Sequence, residues 1–157
     1  MKKVMWVAVI IILLVGCKSN LVNKEAYNGE HYINYTNVPN IITFLGLKEV
    51  NVVTLEESNN ALSFCFNDKN INGDTAIYTY YGEYFKAIEG NQFLLMQENM
   101  LYSKNEPVSN SYTYNLGNIT ITVTHVIDPK EYINLNRTMS KLKQLKDENV
   151  LVEIKRE

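Results

Sequence analysis

Hydrophobic and polar residues alternate through much of the chain, and this pattern predicts half-buried β-strands. The clearest case is residues 119–127, where isoleucine and valine alternate with threonine. Residues 62–66 alternate large apolar side chains with Ser63 and Cys65. We predict further strands at 48–55, 75–88, 92–96, 100–102 and 112–114. The segment 40–45 is compatible with a short helix or a strand.

Glycine and asparagine between these strands predict tight turns. Asn72-Gly73-Asp74 and Glu89-Gly90-Asn91 have the composition of hairpin turns, because Gly and Asn tolerate the positive φ that such turns need. A third turn is expected around Asn105-Glu106-Pro107. The predicted strands are therefore joined mostly by short connections, which is typical of an antiparallel sheet.

The last thirty residues carry a helical spacing. Asp128 is placed to cap a helix, and Pro129 fits the first helical position. Apolar residues then recur three and four positions apart, and a final strand follows; they are Tyr132, Leu135, Met139 and Leu142 in the helix and Val150, Val152 and Ile154 in the strand. The predicted fold class is α+β, mainly antiparallel sheet with one C-terminal helix followed by a final strand, and a barrel-like sheet is the alternative.

The N-terminus breaks this pattern with a continuous apolar block. Met1-Lys2-Lys3 is basic, and residues 4–15 then contain no polar side chain. Twelve helical residues span only about 18 Å, whereas the hydrocarbon core of a membrane is about 30 Å thick. The block instead fits the hydrophobic region of a secretory signal, with the small residue Gly16 at the cleavage point.

The sequence Leu14-Val15-Gly16-Cys17 resembles the lipobox of bacterial lipoproteins. The resemblance covers about the first twenty residues. It implies that Leu14, Val15 and Gly16 form the recognition sequence of the signal peptidase. It also implies that the thiol of Cys17 receives a diacylglycerol, and that Cys17, commonly acylated further with a fatty acid such as palmitate, becomes the first residue of the mature protein. One acyl chain holds a protein to a membrane only marginally, whereas two or more hold it stably.

These features divide the chain into a cleaved signal peptide at 1–16, a lipid-anchored tether at 17–30 and one β-rich domain at 31–157. The polar tether has the composition of a flexible coil. The resemblance implies a domain outside the cytoplasm, anchored to the cell membrane or the outer membrane. Lys18 directly after the cysteine resembles outer-membrane sorting in enteric bacteria.

Composition supports a globular domain and weighs against a nucleic-acid partner. Hydrophobic residues make up 46% of the chain and charged residues 20%, which is an ordinary balance for a folded protein. Without Lys2 and Lys3, 13 basic residues stand against 17 acidic ones, a net charge of −4. A nucleic-acid-binding protein needs a basic face to neutralise phosphates.

Few residues offer chemistry. His125 lies on the apolar face of its strand and is expected to be hydrogen-bonded and partly buried, whereas His31 beside the tether is expected to be solvated. Cys65 between two phenylalanines is expected to be a small buried hydrophobe with no intramolecular disulfide partner once Cys17 is acylated. No spacing typical of a metal site, a cofactor or a catalytic motif is present, so we expect no metal, no cofactor and no enzymatic activity.

The densest aromatic stretch is YTYYGEYFKAIEG, residues 78–90. In a strand, Tyr78 and Tyr80 would share one face and Tyr81 and Phe85 the other. Tyrosine combines an apolar ring with a hydrogen-bonding tip, so this stretch is a candidate ligand or partner surface, formed by Tyr78, Tyr80, Tyr81 and Tyr84. Cross-strand packing without any ligand is the simpler explanation of the same residues.

The sequence is thus best explained as a lipid-anchored envelope protein. Its domain is expected to be a non-enzymatic binding or structural module that acts through contacts with an unknown protein. One alternative is a small-molecule or lipid-binding barrel with a pocket lined by Tyr78, Tyr80 and Phe93. Another is an immunity or inhibitor lipoprotein.

Overall fold

The structure of the chain is a computed structural model that describes residues 29–32, 34–47, 50–71, 76–145 and 147–157. The predicted signal peptide, the lipobox with Cys17, nearly all of the tether and the Asn72-Gly73-Asp74 turn lie outside the described residues. In chain order the elements are β1 (His31–Tyr32), β2 (Tyr35–Pro39), α1 (Ile41–Phe44), β3 (Val52–Glu57), β4 (Ala61–Phe66), α2 (Ile77–Tyr80), α3 (Gly82–Gly90), β5 (Leu94–Ser103), β6 (Glu106–Leu116), β7 (Ile119–Val126), α4 (Pro129–Leu135), a 3₁₀ helix (Ser140–Gln144) and β8 (Val150–Arg156).

Six strands form one antiparallel sheet in the order β3-β4-β8-β7-β6-β5, and β1 pairs with β2 separately. The α+β class with a mainly antiparallel sheet, a C-terminal helix and a final strand is confirmed. Within the described residues the sheet is open, so the barrel-like alternative does not apply. The long-range pairing of β4 with β8, with Phe64 opposite Val152, brings the C-terminus into the middle of the sheet.

The alternation of apolar and polar residues identified the strands correctly where at least one face of the sheet is buried. Strands β4, β7 and β8 match the segments predicted around residues 62, 119 and 150. In β4 both faces are buried, since Ser63 is 1% exposed and Cys65 0% exposed. The reason is that β4 lies inside the sheet, with helical segments packed against both faces, so its alternation separates two cores rather than core from solvent.

The described part of the predicted strand 75–88 is not a strand; from Ile77 it forms the helices α2 and α3. Their buried side chains recur at helical spacing, at Ile77, Tyr81, Tyr84, Phe85 and Ile88. Tyrosine and isoleucine favour strands only weakly and by context, and here packing of this helical face against the sheet decides. The predicted hairpin turn at Glu89-Gly90-Asn91 is likewise wrong, because these residues end α3.

The segment 40–45, which the sequence left open, forms the short helix α1. The side chain of Asn40 caps it by accepting a hydrogen bond from the backbone N–H of Ile42 at 3.1 Å. The hydroxyl of Tyr32 accepts a second one from the N–H of Ile41, also at 3.1 Å. These two contacts satisfy helix-end donors that would otherwise be buried without partners.

Helix α4 begins as predicted but is shorter than predicted. Asp128 Oδ1 accepts from the N–H of Glu131 at 3.0 Å, and Pro129 occupies the first turn. The helix ends at Leu135, and the side chain of the capping residue Asn136 donates to the carbonyl of Tyr132, which also accepts the last helical N–H bond. The predicted single apolar face is therefore wrong: Leu135 and Met139 are exposed, and Leu142 is buried from the separate 3₁₀ helix.

Two apolar clusters hold the domain together. The larger one joins one face of the sheet to β1, β2, α1, α2 and α3 and is rich in aromatic rings. Phe85 lies at its centre, with ring centroids 5.3 Å from Tyr78, 5.4 Å from Tyr112 and 5.6 Å from Tyr114. The smaller cluster places the 3₁₀ helix and α4 on the opposite face, around Cys65.

Candidate functional site

Strand β5 is a long strand with most of its residues exposed. It is ten residues long, it ends the sheet, and among the described residues it pairs with β6 alone. Apolar side chains at both of its ends face solvent; the exposed fractions are 74% for Leu94, 47% for Leu95, 60% for Met96 and 58% for Tyr102. The unpaired backbone N–H and C=O groups of an edge strand can pair with another extended chain. We call this strand with its exposed side chains the β5 edge.

The usual protections of an edge strand are scarce on the β5 edge. Natural edges are commonly short or carry lysine or proline, whereas β5 contains neither residue. Its one charged residue is Glu98, whose carboxylate accepts a hydrogen bond from the hydroxyl of Tyr112 at 2.5 Å. Burial and this hydrogen bond raise the pKa of Tyr112 to about 12. Tyr112 therefore keeps its proton and holds Glu98 against β6.

Of the four tyrosines proposed as a surface, Tyr78 lies next to the β5 edge. Its ring is 37% exposed and stands 5.2 Å from the ring of Tyr112, which in turn holds Glu98. Tyr80 is 43% exposed and packs on Tyr81 at 5.7 Å. Tyr78 is therefore placed to extend the β5 edge on one face of the sheet.

Tyr81 and Tyr84 do not belong to any surface, which corrects the predicted set. They are 1% and 0% exposed, since both point from the α2–α3 region into the core. The hydroxyl of Tyr81 donates to Asp68 at 2.8 Å, and that of Tyr84 donates to the carbonyl of Pro39 at 3.0 Å. Burial raises the pKa of both phenols, so these tyrosines are neutral structural anchors.

One open cleft formed by described residues lies away from the predicted pocket. It has a volume of about 590 Å³, lies between α1 and the end of α3, and its lining includes Phe44, Pro39, Ala87, His31 and Glu30. It contains none of the residues that were expected to line a barrel pocket, and one of them, Phe93, is 2% exposed inside the core. His31 itself is exposed, as expected.

His125 and Cys65 are both buried in the sheet. His125 is 2% exposed and lies between Asn110 and Val150 in the strand register. The thiol of Cys65 donates to the carbonyl of Val53 at 3.7 Å. Burial, with a smaller effect from the charge of Glu148, raises the pKa of Cys65 to about 12. Nucleophilic cysteines have lowered pKa values, so Cys65 has the character of a core residue.

This burial predicts a slow reaction of Cys65 with iodoacetamide. In the full chain carrying Cys17→Ala, the thiolate fraction at pH 8 should be about a thousandfold lower than for a pKa of 9. We therefore expect alkylation at least a hundredfold slower in buffer than in concentrated urea, as measured by mass spectrometry over time. The Cys17→Ala, Cys65→Ala double variant gives the background. Equal rates in both solutions would show that Cys65 is accessible.

Ser63 and Lys141 lie together, as a serine and its base do in some hydrolases. Lys141 Nζ is 3.4 Å from Ser63 Oγ, 2.9 Å from Glu153 and 3.2 Å from Glu56. Burial alone lowers the pKa of Lys141, but the hydrogen bonds and charges of the two carboxylates outweigh it and raise the pKa overall. An ammonium that keeps its proton cannot accept one from Ser63, so the cluster serves to join the 3₁₀ helix to the sheet.

Residues 68–73, DKNING, have the spacing of the first ligands of an EF-hand calcium loop. The twelfth position of such a loop is a bidentate glutamate, and here it is Thr79. Both carboxylate oxygens of Asp68 already accept hydrogen bonds, from Tyr81 and from Asn70. Within the described part of the chain no group of His, Cys, Asp and Glu side chains is arranged for a metal ion. We assign Asp68 a structural role.

Within the described residues, the fold and the β5 edge define a small α+β domain with an open six-stranded sheet and an exposed edge strand. Comparisons with protein-family models, with curated proteins and with solved structures found no match for the chain. None of the described helices is long and apolar enough to span a membrane.

The β5 edge was not identified from the sequence, which divided β5 into two strands at 92–96 and 100–102. The polar residues Gln97, Glu98 and Asn99 in its centre suggested an interruption. One feature of the sequence could have indicated a single long strand: apolar triplets, residues 94–96 and 100–102, lie on both sides of this polar centre.

Proposed function

We propose that this chain is a lipid-anchored cell-envelope protein whose domain is a non-enzymatic binding module, and that it binds a protein partner by strand addition at the β5 edge. The observation that carries the proposal is the exposure of Leu94, Met96 and Tyr102 along a strand that pairs, among the described residues, with β6 alone. In strand addition, main-chain hydrogen bonds supply affinity and alternate side chains supply specificity.

The lipobox supports the location of this module. Anchoring through Cys17 would hold the domain at a membrane surface, outside the cytoplasm, on a tether of about a dozen residues. A binding partner in the same envelope compartment then needs only modest intrinsic affinity, because tethering raises the effective concentration of the two proteins. The signal and the edge strand thus support the same proposal from different parts of the chain.

The barrel alternative has less support, because the described sheet is open and its proposed lining residue Phe93 is buried. An immunity or inhibitor lipoprotein remains a special case of the same proposal, in which the partner docking at the β5 edge is a toxin or a hydrolase. A toxin gene next to the gene for this chain would favour that case.

Adding positive charge to the β5 edge should abolish partner binding. In the variant Leu94→Lys, Met96→Lys, lysines replace two side chains that are 74% and 60% exposed, so folding should be preserved while edge pairing is opposed. We expect at least a tenfold loss of partner captured from membranes in mild detergent, equivalent to about 1.4 kcal/mol. The measurement is affinity capture after photo-crosslinking from a probe placed at Gln97.

The matched control is Leu135→Lys, Met139→Lys, which adds the same two charges at side chains that are 48% and 41% exposed, in and just after α4. It should capture the partner as the parent chain does, and circular dichroism should show all three proteins folded. Crosslinks that survive unchanged in the double variant would contradict the proposal, as would the absence of any crosslinked protein from the parent.

A further inference from the structure

We propose that the partner at the β5 edge is a second copy of this chain, paired antiparallel through β5 with Asn99 on the two-fold axis. This inference rests on the proposed function and specifies its partner. The two six-stranded sheets would join into one continuous sheet of twelve strands. A two-fold interface uses the same surface on both copies, so the surface must be complementary to itself.

The sequence of β5 has this self-complementarity. It begins with the apolar triplet Leu-Leu-Met, continues with Gln-Glu-Asn and then reads Met-Leu-Tyr-Ser. When two identical strands pair antiparallel, the beginning of each lies beside the end of the other. The apolar ends then cover one another, and the polar centres meet in the middle. The four apolar side chains with the largest exposures in β5 all lie in these ends.

Electrostatics opposes an axis at Glu98. With Asn99 on the axis, Glu98 faces Met100 of the second copy and Gln97 faces Leu101. An axis at Glu98 would instead set two carboxylates directly opposite each other, which is destabilising. Glu98 cannot easily turn away, because its carboxylate is held by a hydroxyl of β6 at 2.5 Å. Asn99 is exposed and uncharged, and its amide can both donate and accept across the axis.

The β-bulge in β5 aligns the apolar ends in this register. The pairing of β5 with β6 skips Met96, which is the extra residue of the bulge. Counted outward from Asn99 without a bulge, Leu95 would face Ser103 of the second copy. With the bulge, Leu95 faces Tyr102 instead, and both are about half exposed in a single copy. An aromatic ring opposite an aliphatic side chain is a favourable cross-strand pair.

The size of this interface predicts a weak dimer that depends on the membrane. The ten residues of β5 are fewer than the roughly 20–30 residues that each side of a standard interface contributes. In dilute detergent we therefore expect mainly monomer. Two copies anchored in one membrane have a much higher effective concentration, so the dimer should form there. The test has to be made in intact membranes.

Disulfide formation tests the register. Opposed residues of an antiparallel pair have Cα atoms about 4.5–5.5 Å apart, which is within the range that a disulfide bridges. The full chain carrying Asn99→Cys, oxidised in its membranes with diamide, should form a covalent dimer on a non-reducing gel. Gln97→Cys is the matched control, because its two copies lie about 13 Å apart along the strands. Co-expressed Gln97→Cys and Leu101→Cys chains should crosslink to each other, and the parent chain gives the background.

Each outcome decides the matter. A dimer of Asn99→Cys at least tenfold above that of Gln97→Cys, together with the mixed Gln97–Leu101 dimer, supports the register. Equal dimer yields from Asn99→Cys and Gln97→Cys would overturn it. Monomer throughout, while the Leu94→Lys, Met96→Lys variant loses a different envelope protein, overturns self-pairing and leaves the proposed function intact. If every cysteine variant stays monomeric and the double lysine variant still captures the same proteins, both self-pairing and the proposed function are overturned.

Discussion

Replacing Phe85 by alanine is expected to lower the free energy of unfolding by about 3–5 kcal/mol. Phe85 is 0% exposed, and it joins α3 to β6 by ring contacts at 5.4 Å to Tyr112 and 5.6 Å to Tyr114. Its removal leaves a cavity among rings that cannot collapse without moving the helix off the sheet. Since a domain of this size is stable by only about 5–15 kcal/mol, the change removes a large share of its stability and should lower the midpoint of urea denaturation markedly. Urea denaturation followed by circular dichroism measures the change.

The matched control for this change is Phe44→Ala. Phe44 is 45% exposed and makes one edge contact, 5.6 Å from the ring of Tyr84. An aromatic pair of this kind contributes about 0.5–1.5 kcal/mol, so the control should lose about 1 kcal/mol. If the two substitutions cost the same, Phe85 is not at the centre of the core. If neither changes the midpoint of denaturation, the packing of α3 on the sheet is wrong.

The prominence of Phe85 also shows what the sequence could and could not predict. Strands β4, β7 and β8 followed from alternation, because a period of two is local and each strand buries at least one face. The capped start of α4 at Asp128 and Pro129 followed from equally local chemistry. The helices of segment 75–88 could not be predicted from the sequence, because its residue types favour strands while its buried positions have helical spacing. In that conflict the tertiary packing of Phe85 and its neighbours decides.

The candidate site could not be predicted for a different reason. Which strand ends a sheet depends on long-range pairing, and here β8 pairs with both β4 and β7. That arrangement leaves β5 with β6 as its single described neighbour. Nothing in the residues of β5 encodes its position at the edge, although the lack of lysine and proline becomes informative once the position is known. The predicted aromatic surface wrongly included Tyr81 and Tyr84, because a strand period of two was assumed for a segment that is helical.

Replacing Cys17 by alanine is expected to abolish lipid attachment and, with it, cleavage of the signal peptide. The proposed anchor contributes about 0.8 kcal/mol for each buried methylene, so the variant loses the acyl part of its membrane affinity and keeps only the apolar block at residues 4–15. Cells producing the parent chain should incorporate an alkyne-labelled palmitate into it, and the Cys17→Ala chain should incorporate none. Because the signal peptidase of lipoproteins acts before an acylated cysteine, the variant should also keep its signal peptide and migrate more slowly on a gel.

The second cysteine of the chain supplies the control that makes this result interpretable. Cys65 is 0% exposed, and burial raises its pKa to about 12, so it should take up no lipid. Cys65→Ala should therefore keep the full palmitate signal, whereas Cys17→Ala loses it. Label that persists in Cys17→Ala and disappears in Cys65→Ala would move the anchor into the folded domain, which the burial of Cys65 forbids without unfolding. Label that persists in the Cys17→Ala, Cys65→Ala double variant would overturn thioester or thioether anchoring altogether, and with it the placement of the β5 edge at a membrane surface.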